Sequence, residues 1–152
     1  MKIRTTRFGE IEVDGDRLIH FEKGILGFPD VQDYILLQTD EEGNFFWLQA
    51  VGREDLAFVV SDPLLFLSDY EVPLKQEDFE HIELTNMQEA QVLIIVNKVD
   101  RVLTGNLQGP LVINSVNRRA RQLVLSEKKY STRHPRVDLD RSQPKQAVSK
   151  TA

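Results

Sequence analysis

Histidine and carboxylate side chains are the groups of this chain that could carry out acid–base chemistry. The chain has three histidines, His20, His81 and His134, and no cysteine. A hydrolase triad needs a nucleophile, a base and an orienting acid brought together, and the sequence has no G-x-S-x-G nucleophile motif. The three histidines lie in a strand pattern, an acidic segment and the C-terminal region. We therefore predict that the protein is not an enzyme.

Metal and nucleotide sites also lack their characteristic spacings. No H-x-x-x-H pair is present, and the acidic turns "DGD" and "DEEGN" lack the ligand spacing of a calcium loop. "NKVD", residues 97–100, follows an apolar strand pattern as a guanine-specificity motif does, but the phosphate-binding G-x-x-x-x-G-K-[ST] loop is missing. We interpret "NKVD" as a polar strand end and turn. No cofactor and no metal are predicted.

Charged residues are unevenly distributed along the chain. Residues 1–116 carry 21 acidic and 9 basic side chains, whereas residues 117–152 carry 3 acidic and 10 basic ones. An acidic body repels phosphates and suits a basic protein partner, although acidic surfaces also simply keep proteins soluble. Direct nucleic-acid binding needs aromatic residues among the basic ones, and Tyr130 is the single aromatic residue in the basic region. We expect no direct binding to nucleic acid.

Short strand patterns must position these side chains. Apolar and β-branched residues recur in short segments separated by turn residues, namely 10–13, 17–22, 34–39, 45–50 and 56–60. "DGD" predicts a hairpin between the first two segments, and "DEEGN" predicts one between the next two. No strand pattern is regularly followed by a long amphipathic helix, so a βαβ fold is disfavoured.

The second half of the chain combines short helical patterns with three further strands. Pro63 can begin a short helical turn capped by Ser61 or Asp62, and residues 76–84 predict a short helix that is acidic at its start. Residues 90–99 predict a central strand, and 110–116 with 121–126 a last hairpin. The predicted class is mainly β: a small antiparallel β-barrel or sandwich-like single domain with one or two short helices.

Composition also predicts the domain boundary and the location of the protein. Residues 1–130 are predicted to form one β domain, and residues 131–152 a flexible basic tail with two prolines and a net charge of +3. The absence of cysteine fits a reducing compartment. The N-terminal segment lacks the apolar core of a signal peptide, and no apolar run is long enough to cross a bilayer. We expect a cytoplasmic protein without contact to a membrane.

Three stretches, taken together and in order, resemble the flagellar assembly factor FliW family: residues 21–37, 47–74 and 104–135. The residues that match the family pattern are Gly24, Gly27, Phe28, Leu48, Gln49, Asp62, Pro63, Asp69, Tyr70, Glu71, Asn106, Leu107, Pro110, Asn114, Gln122 and Tyr130. Gly109 departs from the alanine that is common in the family before the proline. The tail after Pro135 has no counterpart in the pattern.

The resemblance implies a protein-binding regulator in bacterial flagellum biogenesis. Proteins of this family bind the carbon storage regulator CsrA, a small RNA-binding dimer that represses translation of flagellin messenger RNA, and binding relieves the repression. They also bind newly made flagellin as a chaperone does. Flagellin occupies the CsrA antagonist until secretion removes it, which couples flagellin synthesis to filament assembly. The alternative from the residues alone is a β-barrel with a polar interior that binds a small ligand.

The candidate partner-binding residues lie in loops and in the acidic helix. They are Phe28, Asp69, Tyr70, Glu71, Glu77, Asp78, Glu80, Asn106 and Leu107. For "TGNLQGPLVIN", residues 104–114, a shaped corner of the sheet is favoured over direct partner contact, because Asn106 and Asn114 can hydrogen-bond to turn backbone. We predict that Trp47 and Phe66 belong to the core and that Asp62 caps a helical turn.

Overall fold

Eleven strands and one α-helix are found in the computed structural model, which describes residues 1–38, 44–126 and 130–136. The strands are β1 (Lys2–Thr5), β2 (Gly9–Glu12), β3 (Ile19–Phe21), β4 (Asp33–Gln38), β5 (Phe45–Ala50), β6 (Ala57–Ser61), β7 (Ala90–Val99), β8 (Val102–Gly105), β9 (Leu111–Asn114), β10 (Arg119–Gln122) and β11 (His134–Pro135). The helix is α1 (Gln76–His81), and three 3₁₀ turns occupy Gly15–Arg17, Pro63–Leu65 and Met87–Glu89. The predicted class, mainly β with one or two short helices, is confirmed.

The main sheet closes on itself into a barrel. Its order is β11-β8-β7-β6-β5-β4-β3-β10-β9, and β9 also pairs with β7. Closure depends on the length of β7, because residues 90–93 pair with β9 while residues 96–99 pair with β8. The barrel therefore comprises β3 to β7, β9 and β10, and β8 and β11 extend from it. β1 and β2 form a separate two-stranded sheet.

Alternating residues of the barrel strands build two apolar clusters. The barrel interior is filled by Ile19, Phe21, Ile25, Tyr34, Leu48, Ala50, Leu56, Val60, Leu93, Leu111, Ile113 and Ala120. The second cluster lies on the outer face of β7 and β9 and contains Phe66, Tyr70, Ile82, Leu84, Ile94, Val96, Leu107, Val112, Leu123, Leu125 and Tyr130. Leu93 and Ile94 are neighbours in sequence and belong to different clusters, so β7 is apolar on both faces, as predicted.

The predicted hairpin between residues 10–13 and 17–22 is wrong. β2 pairs with β1, and β3 pairs antiparallel with β4 and parallel with β10. The intervening residues form a 3₁₀ turn, in which the Asp14 carboxylate accepts a hydrogen bond of 2.9 Å from the Asp16 amide. This capping competes with a hairpin turn, and it releases β3 to place Ile19 and Phe21 inside the barrel.

Several local predictions are confirmed. β4 and β5 form an antiparallel pair from Tyr34 opposite Ala50 to Gln38 opposite Phe46, although most of the predicted turn between them lies outside the described residues. The Asp62 carboxylate accepts a hydrogen bond of 2.9 Å from the Leu64 amide and thereby caps the turn that Pro63 begins. "NKVD" is indeed a strand end and turn, because Asp100 and Arg101 form a tight hairpin turn with positive φ angles.

Other elements differ in extent from their predictions. α1 ends at His81 rather than at residue 84, because Glu83 has a φ of 57°. The β9–β10 hairpin is confirmed, but β10 begins at Arg119. Phe66 is buried as predicted; Trp47 is only half-buried, and the Arg7 guanidinium lies 4.0 Å from the centre of its ring.

The ordered structure extends beyond the predicted domain boundary at residue 130. The Leu107 amide donates to the Ser131 carbonyl at 2.9 Å, β11 pairs with β8, and the Arg136 amide donates to the Leu103 carbonyl at 2.8 Å. β11 thus belongs to the main sheet, and Arg136 is bonded to β8. The rest of the predicted tail, residues 137–152, lies outside the described residues. None of the helices in the described ranges has the length and apolar character needed to span a membrane.

Candidate protein-binding surface

The conspicuous stretch "TGNLQGPLVIN" is a corner that joins the barrel to β8, as predicted. The Asn106 side-chain oxygen accepts hydrogen bonds from the amides of Gln108 (3.1 Å) and Gly109 (2.9 Å). A Cβ at Gly105 would lie 2.5 Å from Ile94 Cδ1 and 3.1 Å from Phe66 Cδ2. Gly105 therefore permits close packing, and the Asn106 side chain shapes the backbone; direct contact of Asn106 with a partner stays a prediction.

Tyr70 and Leu107 were expected to contact a partner, but the structure places both in the interior. Tyr70 is 7 % exposed and Leu107 is fully buried. The Tyr70 hydroxyl donates a hydrogen bond of 2.6 Å to the Leu107 carbonyl, and the Tyr70 ring packs against Tyr130 with 4.7 Å between ring centres. The tyrosine of the "DYE" stretch therefore holds the loop to the sheet, and contact of Tyr70 or Leu107 with a partner stays a prediction.

The two acidic neighbours of Tyr70 remain available to solvent. Asp69 and Glu71 are both exposed, and the Glu71 amide donates to the Tyr130 hydroxyl at 3.3 Å. The backbone of this loop is therefore fixed from within the protein while its carboxylates face outward. Such an arrangement presents negative charge on a defined scaffold.

Phe28 belongs to the end of the barrel. It is half-buried, its ring meets that of Phe58 edge-on at 5.5 Å, and the Arg53 guanidinium lies 5.5 Å from it. Gly24, at a φ of 69°, makes the preceding turn possible, because a Cβ there would lie 2.8 Å from Pro29 Cα. Phe28 therefore contributes mainly to packing.

The acidic residues of α1 divide into one structural and two exposed carboxylates. Asp78 Oδ2 accepts a hydrogen bond of 2.9 Å from the Lys75 amide at the start of the helix. Glu77 and Glu80 are exposed; Glu77 lies 3.4 Å from the Arg121 guanidinium, which is also 3.9 Å from Asp78. The three carboxylates of α1 outnumber Lys75 and Arg121, two basic residues beside them, so α1 keeps a net negative charge. We define the acidic surface as the exposed carboxylates of Asp69, Glu71, Glu77 and Glu80, which lie in and just before α1 along the chain.

An apolar groove of about 560 Å³ lies beside the "DYE" loop, and the sequence analysis missed it. It opens between the 3₁₀ turn Pro63–Leu65, the extended residues 70–74 and the start of β7. Residues that line it are Asn44, Phe46, Asp62, Pro63, Leu64, Leu65, Tyr70, Val72, Leu74, Met87, Ala90, Gln91, Val92 and Leu93. Leu64 and Met87 are 53 % and 55 % exposed. The run "PLLFL" could have predicted this groove, because side chains three apart share one face of a 3₁₀ turn. Pro63 and Phe66 occupy the buried face, so Leu64 and Leu65 lie on the exposed one.

Groups for catalysis or ligand binding are not assembled within the described ranges. His20 contacts Asp33 (Nδ1–Oδ1 2.7 Å), His81 lies 3.6 Å from Glu22, and His134 belongs to β11. No cluster of three or more metal-binding side chains occurs among the described residues. The barrel interior, which a small ligand would have to enter, is filled by the first cluster. Its Tyr34 hydroxyl is buried without a hydrogen-bond partner among the described residues, and burial raises the pKa of Tyr34 to about 12, against a smaller opposing effect of Arg53.

A filled β-barrel with an exposed acidic surface and an adjoining apolar groove defines a protein-binding domain. The comparisons agree: the FliW protein family model matches residues 2–137, so the chain belongs to the FliW family. The flagellar assembly factor FliW of Natranaerobius thermophilus is 39 % identical over 138 residues, which cover 89 % of this chain and 91 % of the relative. That of Geotalea uraniireducens is 42 % identical over 137 residues, covering 89 % and 83 %.

The fold agrees with a solved structure of the same family. A crystal structure of the flagellar assembly factor FliW matches with a TM-score of 0.81 and 34 % identity, covering 89 % of this chain and 96 % of that one. The resemblance noted in the sequence is therefore confirmed. A flagellar assembly factor is a regulatory, chaperone-like protein, and the prediction that the chain is not an enzyme is confirmed by its membership of the family.

Proposed function

We propose that this protein acts in the cytoplasm as a CsrA antagonist and as a chaperone of newly made flagellin. By sequestering the CsrA-type dimer it relieves the repression of flagellin translation. Flagellin that has not yet been secreted occupies the protein, so that the repressor is released when secretion stalls. Synthesis of flagellin is thereby matched to filament assembly. Membership of a family of flagellar assembly factors supports this proposal.

The single observation that carries the antagonist role is the excess of acidic side chains on the body of the protein. Residues 1–116 carry 21 acids against 9 bases, and the acidic surface formed by Asp69, Glu71, Glu77 and Glu80 is exposed. A protein that binds RNA presents lysine and arginine to the phosphates. Complementary fields attract such a partner to an acidic surface and raise the rate of association.

The same charge explains how the RNA would be displaced without chemistry. Once the acidic protein is docked on the dimer, its carboxylates repel phosphates that approach within about 8 Å at physiological salt, which is the screening length. The RNA site then loses affinity even where the two proteins do not overlap. No covalent bond is made or broken in this mechanism.

A measurement of association rates tests the electrostatic part of this proposal. The rate constant for binding the dimer should fall by about tenfold between low and physiological ionic strength. The double variant Glu77→Gln and Glu80→Gln should associate more slowly and depend less on salt. The matched control, Glu10→Gln with Glu12→Gln, removes the same charge from β2 and should behave closer to the unmodified chain. An association rate constant that changes neither with ionic strength nor with the substitutions of Glu77 and Glu80 would contradict the mechanism.

A further inference from the structure

We propose that the apolar groove binds an apolar segment of unassembled flagellin that carries a lysine or arginine beside its apolar residues. The proposal rests on the proposed function above and adds the place and chemistry of flagellin recognition. The RNA-binding dimer binds the neighbouring acidic surface instead. The two partners thus bind chemically different parts of the same protein: one binds an apolar groove and the other binds carboxylates.

Three exposed apolar side chains line this groove. Leu64, Leu65 and Met87 are among the exposed large hydrophobic residues, and each lines the groove. Protein surfaces seldom keep a contiguous apolar patch unless something covers it. Methionine in particular adapts its shape to different apolar partners. These side chains are placed to lose solvent contact when a segment enters the groove.

The walls of the groove are held in place before any partner arrives. The Asp62 carboxylate caps the turn that carries Leu64, and the Asn86 side chain accepts a hydrogen bond of 2.9 Å from the Gln88 amide in the turn that carries Met87. The third wall is fixed where the Tyr70 hydroxyl donates to Leu107. A preformed site binds without first paying the entropy of ordering its own walls.

Charge around the groove selects the flanks of the bound segment. Asp62 is the charged residue that lines the groove in the described part of the chain, and no lysine or arginine lines it there. Asp69 and Glu71 are exposed beside the Tyr70 wall. An acidic flank on the incoming segment would be repelled, and a basic flank would be attracted.

Of the two proposed partners, we assign flagellin to the apolar groove and the repressor dimer to the carboxylates of α1. A subunit destined for a filament carries apolar surface that becomes buried on assembly, and a chaperone must cover that surface beforehand. Tyr70, Val72 and Leu74 face the groove, whereas Pro73, Lys75 and Glu77 line a second groove on the side of α1. The extended segment therefore lies between the groove and Glu77, while Asp69 and Glu71 of the acidic surface border the groove itself. This proximity of the two sites accounts for exclusion between the two partners.

Charged substitutions in the groove test the assignment. In the full-length chain, Leu64→Glu and Met87→Glu are placed singly at exposed positions, and binding is measured to purified cognate flagellin and to the CsrA-type dimer. We expect the flagellin Kd to rise by about tenfold or more in each variant, while the Kd for the dimer changes by less than about threefold. The control Val99→Glu alters a side chain that is 45 % exposed and lies about 23 Å along β7 from Val92; it should bind both partners normally.

Each other outcome has a distinct meaning. Unchanged flagellin binding in both groove variants would overturn the groove assignment while leaving the proposed function intact. Loss of the dimer with flagellin binding retained would also overturn it, because the groove would then serve the repressor. An unmodified chain that binds neither partner would refute the proposed function itself. If a glutamate variant fails to fold by circular dichroism, Leu64→Ala and Met87→Ala replace it, and flagellin affinity should then fall by about threefold or more.

Overlapping peptides of flagellin test the chemistry of the ligand independently. The peptides that bind should combine apolar residues with a lysine or arginine. They should bind the Leu64→Glu variant less tightly than the unmodified chain. Peptides that bind through acidic residues alone would contradict the charge argument.

Discussion

The Tyr70 hydroxyl and the Leu107 carbonyl are joined by a buried hydrogen bond of 2.6 Å across 37 positions of sequence. The bond ties the "DYE" loop to the corner formed by residues 104–114. Leu107 also contacts the C-terminal segment, because its amide donates a hydrogen bond to the Ser131 carbonyl. One residue thus connects the loop that bears exposed carboxylates, the corner of the sheet and the segment that leads to β11.

Replacing Tyr70 by phenylalanine should destabilise the fold by about 1–2 kcal/mol, because the buried Leu107 carbonyl loses its donor. Urea unfolding monitored by circular dichroism measures the change. An unaltered midpoint would show that the bond contributes nothing net.

Tyr34→Phe is the matched comparison and should have the opposite outcome. The Tyr34 hydroxyl is buried without a partner among the described residues, so its removal should leave stability unchanged or raise it by about 1 kcal/mol. The same urea experiment decides this. A loss as large as that of Tyr70→Phe would mean that a partner for the hydroxyl exists.

Stability above pH 10 should also depend on Tyr34. Its pKa is raised from 10.0 to about 12 in the folded chain by burial. A group whose folded pKa is raised contributes stability that is complete below pH 10 and is lost as the pH rises through about 12. The unmodified chain should therefore lose more stability than Tyr34→Phe when melting temperatures are compared at pH 9 and pH 11.5. Parallel losses in both proteins would contradict the assignment.

Asn114 is a buried polar residue whose replacement should destabilise the fold. It is buried; its amide nitrogen donates to the carbonyls of Ile82 (3.0 Å) and Glu83 (3.3 Å), and its oxygen accepts from the amide of Val116 (2.9 Å). Asn114→Ala leaves these groups unpaired and should cost about 2–4 kcal/mol. Asn114→Asp keeps the acceptor but places a carboxylate oxygen, which repels oxygens, next to the carbonyls of Ile82 and Glu83. The melting temperature of this variant should therefore fall at least as far as that of Asn114→Ala. A milder effect of aspartate than of alanine would argue against the donor role.

Removal of residues 137–152 tests the proposed tail. Because β11 and the hydrogen bond from Arg136 to Leu103 would remain, we expect an unchanged melting temperature. Removal of residues 131–152 also deletes β11 and the hydrogen bond between Leu107 and Ser131. This larger truncation should lower the melting temperature. Equal melting temperatures for the two truncated chains would show that β11 does not stabilise the domain.

Local patterns in the sequence predicted most of the elements but missed β1, β8 and β11, and pairings between distant strands were not predictable. The β4–β5 hairpin and the Asp62 cap depend on neighbouring residues and were found. The parallel pairing of β10 with β3 joins residues about a hundred positions apart, and no local signal specifies it. The same limit applies to the site: the exposed carboxylates of Asp69 and Glu71 could be predicted, but the burial of Tyr70 depends on Leu107, and the apolar groove depends on three separate segments.

The most direct test of the central claim is displacement of RNA from the repressor. A labelled flagellin leader RNA is bound to the CsrA-type dimer, the full-length chain is added, and fluorescence anisotropy follows the RNA. Our account predicts that the RNA is released at a fixed, near-stoichiometric ratio of chain to dimer, and that prior addition of flagellin prevents the release. RNA that stays bound at a large excess of the chain would contradict it.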